Sequence, residues 1–152
     1  MRIVIAAVGR LRRGPELDLV ETYRRRMHWP VSIREVEERR PLAAVERQRR
    51  EAELLRAAVP DAAARVALDE HGIQMDSRQF ADRIGAWQKG GRRDVAFVIG
   101  GADGLDAAFL TEISLKISFG TMTWPHLLVR GMLMEQLYRA QQILAGHPYH
   151  KG

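Results

Sequence analysis

Residues 94–104 read DVAFVIGGADG, an apolar run of strand length that stops at a glycine-rich turn. No other predicted strand in the chain is as strongly apolar, which is typical of a strand buried on both faces. In open α/β sheets ligands bind beyond the carboxyl ends of the strands, and glycines let a ligand approach the backbone closely. The turn with Gly100, Gly101 and Gly104 is therefore either a ligand loop or a tight structural turn, and the residues alone favour neither.

Strand and helix patterns alternate on the N-terminal side of this run. Further apolar runs of strand length occur at residues 2–8 and 65–69, and the alternating pattern of residues 31–36 predicts a half-buried strand. Segments with helical spacing or composition occur at residues 15–27, at residues 43–58, and from Asp76 or Ser77 to Gly90. This order predicts a single α/β domain over residues 1–152, with a mostly parallel sheet flanked by helices. In the second helix, the apolar anchors are expected to be Val45, Leu54 and Leu55.

Composition narrows the classes of protein that the chain can belong to. With 46% hydrophobic and 28% charged residues, its 152 residues suit a globular domain rather than a disordered chain. The absence of cysteine excludes disulfides, thiolate zinc sites and cysteine nucleophiles. No apolar run has the length of a membrane span or a signal peptide, so we expect a cytoplasmic protein with no membrane partner.

The positive charge points weakly to nucleic acid. The net charge is +5 and the pI is about 10.2, a balance that favours an anionic partner. Most of the basic residues are arginine, however, and genome composition alone can produce that bias. Charge therefore supports an RNA or DNA partner without establishing one.

Chemically unusual residues concentrate in residues 118–151, SFGTMTWPHLLVRGMLMEQLYRAQQILAGHPYHK. In the loop that opens this stretch, Gly120 permits unusual backbone angles, and Met122 and Trp124 could form an apolar slot for a flat heterocycle. The alternative, which is commoner for an isolated aromatic residue and a methionine, is that both are core residues. Pro125 suits the first turn of the helix that follows.

That helix places several polar side chains at helical spacing. His126 and Arg130 are four residues apart, so both project from one face near the unpaired N–H groups of the helix start, a good position for a phosphate or an enolate-like oxygen. Glu135 and Arg139 are also four apart and are expected to form a surface ion pair. His147 and His150 lack a third ligand at suitable spacing, so we expect no metal site.

Six short motifs together resemble the bacterial RlmH family. They are Ala7-Val8-Gly9, Leu68, Ile99-Gly100-Gly101-x-x-Gly104-Leu105, Thr123-x-Pro125-His126-x-x-x-Arg130, Glu135-x-x-Tyr138-Arg139-Ala140 and Tyr149-His150-Lys151. Members of this family are small SPOUT-class methyltransferases that modify a pseudouridine in the 23S ribosomal RNA. The resemblance covers essentially the whole chain and is most specific in the C-terminal third. Between residues 39 and 64 it rests on length and helical character only.

The resemblance implies a fold and an activity that spacing alone does not reveal. The implied fold is a SPOUT-type α/β knot, in which the C-terminal segment threads a loop to form a trefoil knot. The implied protein is a homodimer that uses S-adenosylmethionine (SAM) to methylate N3 of a pseudouridine in 23S rRNA, within the ribosome or its large subunit. Two alternatives are a non-catalytic ribosomal RNA-binding module and a nucleotide-binding α/β protein.

The resemblance also assigns roles to individual residues. Arg130 would stabilise charge or position a phosphate, and His126 would act as a base or an orienting donor. Trp124 departs from the leucine or phenylalanine of other members but keeps the apolar character. The implied RNA-binding residues are Arg139, Tyr149, His150 and Lys151. The last three belong to the C-terminal tail, which would reach the partner's site across the dimer interface. The implied SAM-binding residues are Leu68, Gly100, Gly101, Gly104, Gly120, Thr121, Met122, Thr123, Trp124 and Pro125.

Overall fold

Helices and strands alternate along the chain in a computed structural model that describes residues 1–151. The strands are β1 (Arg2–Val8), β2 (Val31–Val36), β3 (Ala64–Ile73), β4 (Asp94–Ile99) and β5 (Leu115–Ile117). The helices are α1 (Pro15–Arg26), α2 (Ala44–Ala58), α3 (Ser77–Lys89), α4 (Ala107–Thr111) and α5 (His126–Leu144).

The five strands form one sheet in the order β2-β1-β4-β3-β5, and every neighbouring pair is parallel. Strand β4, which ends at the glycine-rich turn, lies at the centre between β1 and β3. Its residues 95–99 are at most 3% exposed, as a strand covered on both faces requires. The predicted α/β fold with a mostly parallel sheet flanked by helices is confirmed.

Two apolar layers hold the helices against the sheet. On one face, α1, α3 and α5 pack on alternate residues of the central strands, including Ile5 and Phe97. On the other face, α2 and α4 pack on the intervening residues, including Ala6 and Val98. Side chains alternate between the two faces of a strand and repeat about every 3.6 residues on one face of a helix. Apolar residues at these spacings therefore fill both layers.

Two glycines allow elements to approach closely. A Cβ at Gly131 of α5 would overlap the side chain of Leu19, so the glycine lets α1 lie directly against α5. A Cβ at Gly72 would stand 2.6 Å from the carbonyl carbon of Lys116. Gly72 therefore lets the end of β3 run beside β5.

The structure differs from the sequence prediction in three places. Helix α4 and strand β5 were not predicted, because five and three residues are too few to establish a period. Strand β3 extends to Ile73 rather than ending at residue 69. The prediction for Val45 is wrong: it is 57% exposed, whereas the buried side of α2 consists of Glu51, Ala52 and Leu55.

No helix within residues 1–151 is both long enough and apolar enough to cross a membrane.

Candidate functional site

A cleft of about 440 Å³ opens at the carboxyl ends of β3, β4 and β5. Its volume lies within the range of small-molecule sites. It collects most of the residues that the sequence assigned to a cofactor, which are Leu68, Gly100, Gly101, Gly104, Gly120, Met122, Thr123 and Trp124. Thr121 and Pro125 belong to the same loop but do not line the cleft.

The glycine-rich turn after β4 is both tight and part of the cleft wall. The backbone N–H of Gly104 donates to the carbonyl of Gly101 at 3.0 Å, and Gly104 has a φ of 79°. A Cβ at Gly100 would stand 2.9 Å from the carbonyl carbon of Gly104. The two interpretations that the sequence left open, a structural turn and a ligand loop, are therefore compatible.

The loop after β5 is held in shape by a buried serine. The hydroxyl of Ser118 donates to the carbonyl of Gly120 at 2.8 Å and accepts from its N–H at 3.1 Å. Gly120 itself has a φ of 125°, which favours glycine. Beyond it, Met122 and Trp124 are 74% and 41% exposed at the cleft, so the alternative that they are core residues is wrong.

His126 lines the same cleft at the first position of α5. Its Nε2 stands 3.5 Å from the position that a Cβ on Gly9 would occupy. Burial, and then the positive charge of Arg130, lower the pKa of the His126 imidazole. The ring is therefore neutral at pH 7, and its free nitrogen can accept a proton.

Arg130, one turn further along α5, faces the β1–α1 loop and is absent from the cleft wall. It is only 1% exposed. Its Nη1 donates to Glu35 Oε2 at 2.6 Å and its Nη2 to the carbonyl of Gly9 at 3.1 Å. The same Glu35 oxygen accepts from the backbone N–H of Leu11 at 2.8 Å. The guanidinium thus ties the end of β1 and the edge strand β2 to the helix that carries His126.

The C-terminal tail folds back on α5. Arg139 Nη2 donates to Glu135 Oε1 at 2.6 Å, and Arg139 Nη1 lies 3.0 Å from His150 Nδ1. The hydroxyl of Tyr149 donates to the same Glu135 oxygen at 3.1 Å, and the Arg139 guanidinium lies 4.8 Å from the centre of the Tyr149 ring. Lys151 is exposed. The Glu135–Arg139 pair is therefore not a simple surface ion pair, because it anchors the tail.

Glu135 is the residue that the sequence interpretation missed as a functional candidate. Its side chain is 19% exposed and accepts from two residues that were predicted to bind RNA, Arg139 and Tyr149. Its spacing from Arg139 was visible in the sequence, but helical spacing gave no sign that the tail would return to it.

A second cavity, of about 610 Å³, lies between α1, α3 and α5 beside this tail cluster. Glu135 and Tyr23 belong to its wall. It shares Ile117, Phe119 and Gly120 with the first cleft. The two cavities therefore adjoin at the loop after β5. Within residues 1–151, no group of three His, Cys, Asp or Glu side chains is arranged to hold a metal ion.

A family model described as "Predicted SPOUT methyltransferase" matches residues 1–150. This chain belongs to the SPOUT methyltransferase family. SPOUT methyltransferases in general use SAM as the methyl donor. The resemblance inferred from the six motifs is confirmed.

Relatives of this SPOUT methyltransferase match it over almost its full length. A protein from Rhodospirillum centenum called "Ribosomal RNA large subunit methyltransferase H" is 57% identical over 151 residues, which cover 99% of each chain. A protein of the same name from Paramagnetospirillum magneticum is 54% identical over 151 residues, again 99% of each chain.

A solved structure has the same fold. A probable methylase family protein from Haemophilus influenzae superimposes with a TM-score of 0.61 at 11% sequence identity. The superposition covers 99% of this SPOUT methyltransferase and 70% of that chain.

Proposed function

We propose that this SPOUT methyltransferase transfers a methyl group from SAM to N3 of a pseudouridine in 23S rRNA, within the ribosome or its large subunit. The observation that carries the proposal is the cleft beyond β3, β4 and β5, where the residues assigned to the cofactor meet the neutral His126. The names of the full-length relatives support ribosomal RNA as the substrate. We also propose a cytoplasmic location, where a substrate of this kind is found.

The residues of the cleft fit SAM. The glycines after β4 carry no side chains, so the backbone itself can contact the ligand. Met122 and Trp124 offer exposed apolar surface to a flat ring such as adenine, and Thr123 beside them offers a hydroxyl. Leu68 of β3 adds apolar surface to the wall of the cleft. We propose that these residues hold SAM, with Thr121 and Pro125 fixing the loop.

The chemistry requires positioning and removal of one proton. SAM supplies a methyl group on a sulfonium, and in-line displacement forms the N3–C bond as the S–C bond breaks. Holding the acceptor nitrogen at about 3 Å supplies several kcal/mol of the barrier reduction. The proton on N3 must leave, and the neutral His126 in the cleft is a suitable acceptor. Arg130 would support the step by fixing His126 and the Gly9 loop; direct charge stabilisation by Arg130 stays a prediction.

Replacing His126 should change the pH dependence of methylation. We expect His126→Ala to lower kcat by about 10²–10⁴-fold, since a general base contributes that much. Because burial lowers the pKa of His126, the neutral base persists below its usual pKa of about 6.5. Wild-type kcat should therefore hold at mildly acidic pH and fall only as the pH passes below this lowered pKa. The measurement is kcat against pH, with the exposed His28→Ala as control. An unchanged acidic limb in His126→Ala would exclude the imidazole as the titrating group.

We further propose that the active form is a homodimer. Within one subunit the tail is anchored to Glu135 and Arg139, and none of residues 149–151 lines the cleft. A tail that contacts the RNA at the cleft would therefore act on the partner's cleft. Tyr149 offers a ring on which a base can stack, and Arg139, His150 and Lys151 offer donors to phosphates. The C-terminal trefoil knot stays a prediction.

Two measurements test the proposed activity. The first is a calorimetric titration with SAM, which should show binding; no affinity at millimolar SAM would contradict the proposal. The second is transfer of labelled methyl from SAM to naked 23S rRNA, large subunits and whole ribosomes, with the label expected on an assembled particle. Salt-dependent ribosome binding without transfer would favour the RNA-binding module. Preference for a nucleotide over SAM would favour the nucleotide-binding protein.

A further inference from the structure

Helix α2 lies directly behind the glycine-rich turn and contacts it through one face. Arg47 Nη1 donates to Asp103 Oδ2 at 3.2 Å, and the side-chain amide of Gln48 donates to the carbonyl of Asp103. Glu51 lies four residues after Arg47, so it projects from the same face. The face that contacts the turn is therefore polar, on a helix whose next turn contributes Leu55 to the core.

Glu51 is unusual on this face because its carboxyl group is buried. The residue is 6% exposed, and its Oε1 has no hydrogen-bond partner among the described residues. Burial raises the pKa of Glu51, as do the negative charges of Asp103 and Glu38, while Arg47 opposes them. Burying a polar group without a partner costs free energy. Stability alone therefore does not account for a carboxyl group here.

The buried carboxyl group occupies the space behind Gly101. Glu51 Oε2 lies 3.2 Å and Oε1 3.6 Å from the point where a Cβ on Gly101 would stand. Val8 Cγ1 lies 3.0 Å from the same point. Gly101 is thus confined between strand β1 and helix α2, while it lines the cleft on its other side.

We propose that Glu51 is a positioning residue for the cofactor turn: the shape of its buried carboxyl group fixes Gly101 in the position that receives SAM. Arg47 and Gln48 fix the next part of the turn through Asp103. Glu51 touches no reacting atom, and it acts through the backbone of Gly101. This inference rests on the proposed function, since it assumes that SAM binds in the cleft.

The first test compares variants of Glu51 in SAM binding, by calorimetry well below the melting temperature of each variant. Glu51→Gln keeps the shape of the side chain, so the Kd for SAM should stay within about twofold of wild type. Glu51→Ala empties the space behind the turn and should raise that Kd by about tenfold. The KM for SAM should rise with it, while kcat at saturating SAM should not change. Glu46→Gln, at an exposed position of the same helix, is the matched control and should bind SAM as wild type does.

The second test is a double-mutant cycle with Gly101→Ala. In the wild-type background the added methyl meets the Glu51 carboxyl group, so the Kd for SAM should rise by at least about tenfold. In the Glu51→Ala background the two contacts with the Glu51 carboxyl group are gone while the contact with Val8 remains, and the additional rise should be no more than about threefold. If Glu51 had only a structural role, Glu51→Ala would lower the melting temperature, and the effects of Glu51→Ala and Gly101→Ala on the Kd for SAM would be additive. Should Glu51→Ala not fold, Glu51→Ser, which also empties the space, replaces it.

Three outcomes would overturn the inference. Equal effects of Gly101→Ala in both backgrounds would mean that Glu51 does not act through Gly101. A loss in Glu51→Gln as large as in Glu51→Ala would mean that charge, not shape, matters. Unchanged SAM binding in Glu51→Ala would remove the residue from the site. If the wild-type protein binds no SAM, the proposed function fails as well; if it binds SAM and the cycle is additive, only this inference fails.

Discussion

Deleting residues 149–152 should lower methyl transfer to ribosomes by about 10³-fold, the size of effect seen when a preorganised donor group is removed. The Kd for SAM should change little, because residues 149–151 do not line the cleft. The deletion removes the Tyr149 and His150 contacts with Glu135 and Arg139, and with them the groups proposed to hold the RNA. The measurements are labelled-methyl transfer and SAM calorimetry on the same preparations.

Controls for the deletion follow from the tail contacts. Removal of Gly152 alone should leave turnover unchanged. Tyr149→Phe removes the hydroxyl, and with it the hydrogen bond to Glu135, but keeps the aromatic ring, so it should cost less than the full deletion. Turnover on ribosomes that survives the deletion would contradict the role of the tail.

A complementation experiment tests whether the tail acts across the dimer. Subunits that lack the tail are mixed and reassembled with His126→Ala subunits, each inactive by itself. If the tail serves the partner's cleft, the mixed dimer contains one complete site, which pairs the intact tail of the His126→Ala subunit with the intact cleft of the other. Activity should then return to a fraction of the wild-type value. No recovery in a verified mixed dimer would place the tail at its own cleft.

Arg130→Ala should abolish turnover while the proposed dimer persists, and it should also lower the free energy of unfolding. The Glu35 side chain is 32% exposed, so the cost should be smaller than the about 3–5 kcal/mol of breaking a fully buried ion pair. Here Glu35 would lose its charged donor and the carbonyl of Gly9 would lose a hydrogen bond. The measurements are turnover, denaturant unfolding and the mass of the particle in solution. A wild-type rate in Arg130→Ala would remove the residue from the site.

Glu35→Gln separates the two possible roles of Arg130. If Arg130 acts by holding the Gly9 loop against His126, weakening the ion pair should lower turnover as well. If the guanidinium instead contacts the substrate, Glu35→Gln frees it and turnover should stay near wild type. Arg83→Ala, at an exposed position on α3, controls for the loss of one positive charge.

Local patterns predicted most of the sheet. The bounds of β1 and β4 follow from apolar runs that end at glycine, and those of β2 follow from an alternating pattern. The end of β3 was not predictable, because its last residues pair with β5 only where Gly72 removes a side chain. The buried side of α2 was predicted wrongly because it depends on what the helix packs against. Hydrophobicity favoured Val45, whereas the position of the helix behind the turn buries Glu51.

The candidate site likewise has features that the sequence predicted and features that it did not. Most residues that the family resemblance assigned to the cofactor line the cleft, since they follow the ends of strands or share a short loop, but others that line it, such as Glu70 and His71, were not predicted. The environments of Arg130, Glu135 and Glu51 depend on groups 95, 14 and 50 positions away along the chain: Glu35, Tyr149 and Gly101. The partners of Arg130 and Glu51 are too distant for any short window of sequence, and spacing gave no sign that the tail returns to Glu135, so burial and partner choice emerged only from the assembled fold.

The packing of α1 against α5 has a consequence for biosynthesis. Helix α1 ends at Arg26 and α5 begins at His126, 100 positions later. A nascent chain grows by about 5–20 residues per second, so the start of α5 is synthesised on the order of 5–20 s after the end of α1. During this interval the face of α1 that packs against α5 therefore has no covering helix, and the fold is completed only after α5 has been made.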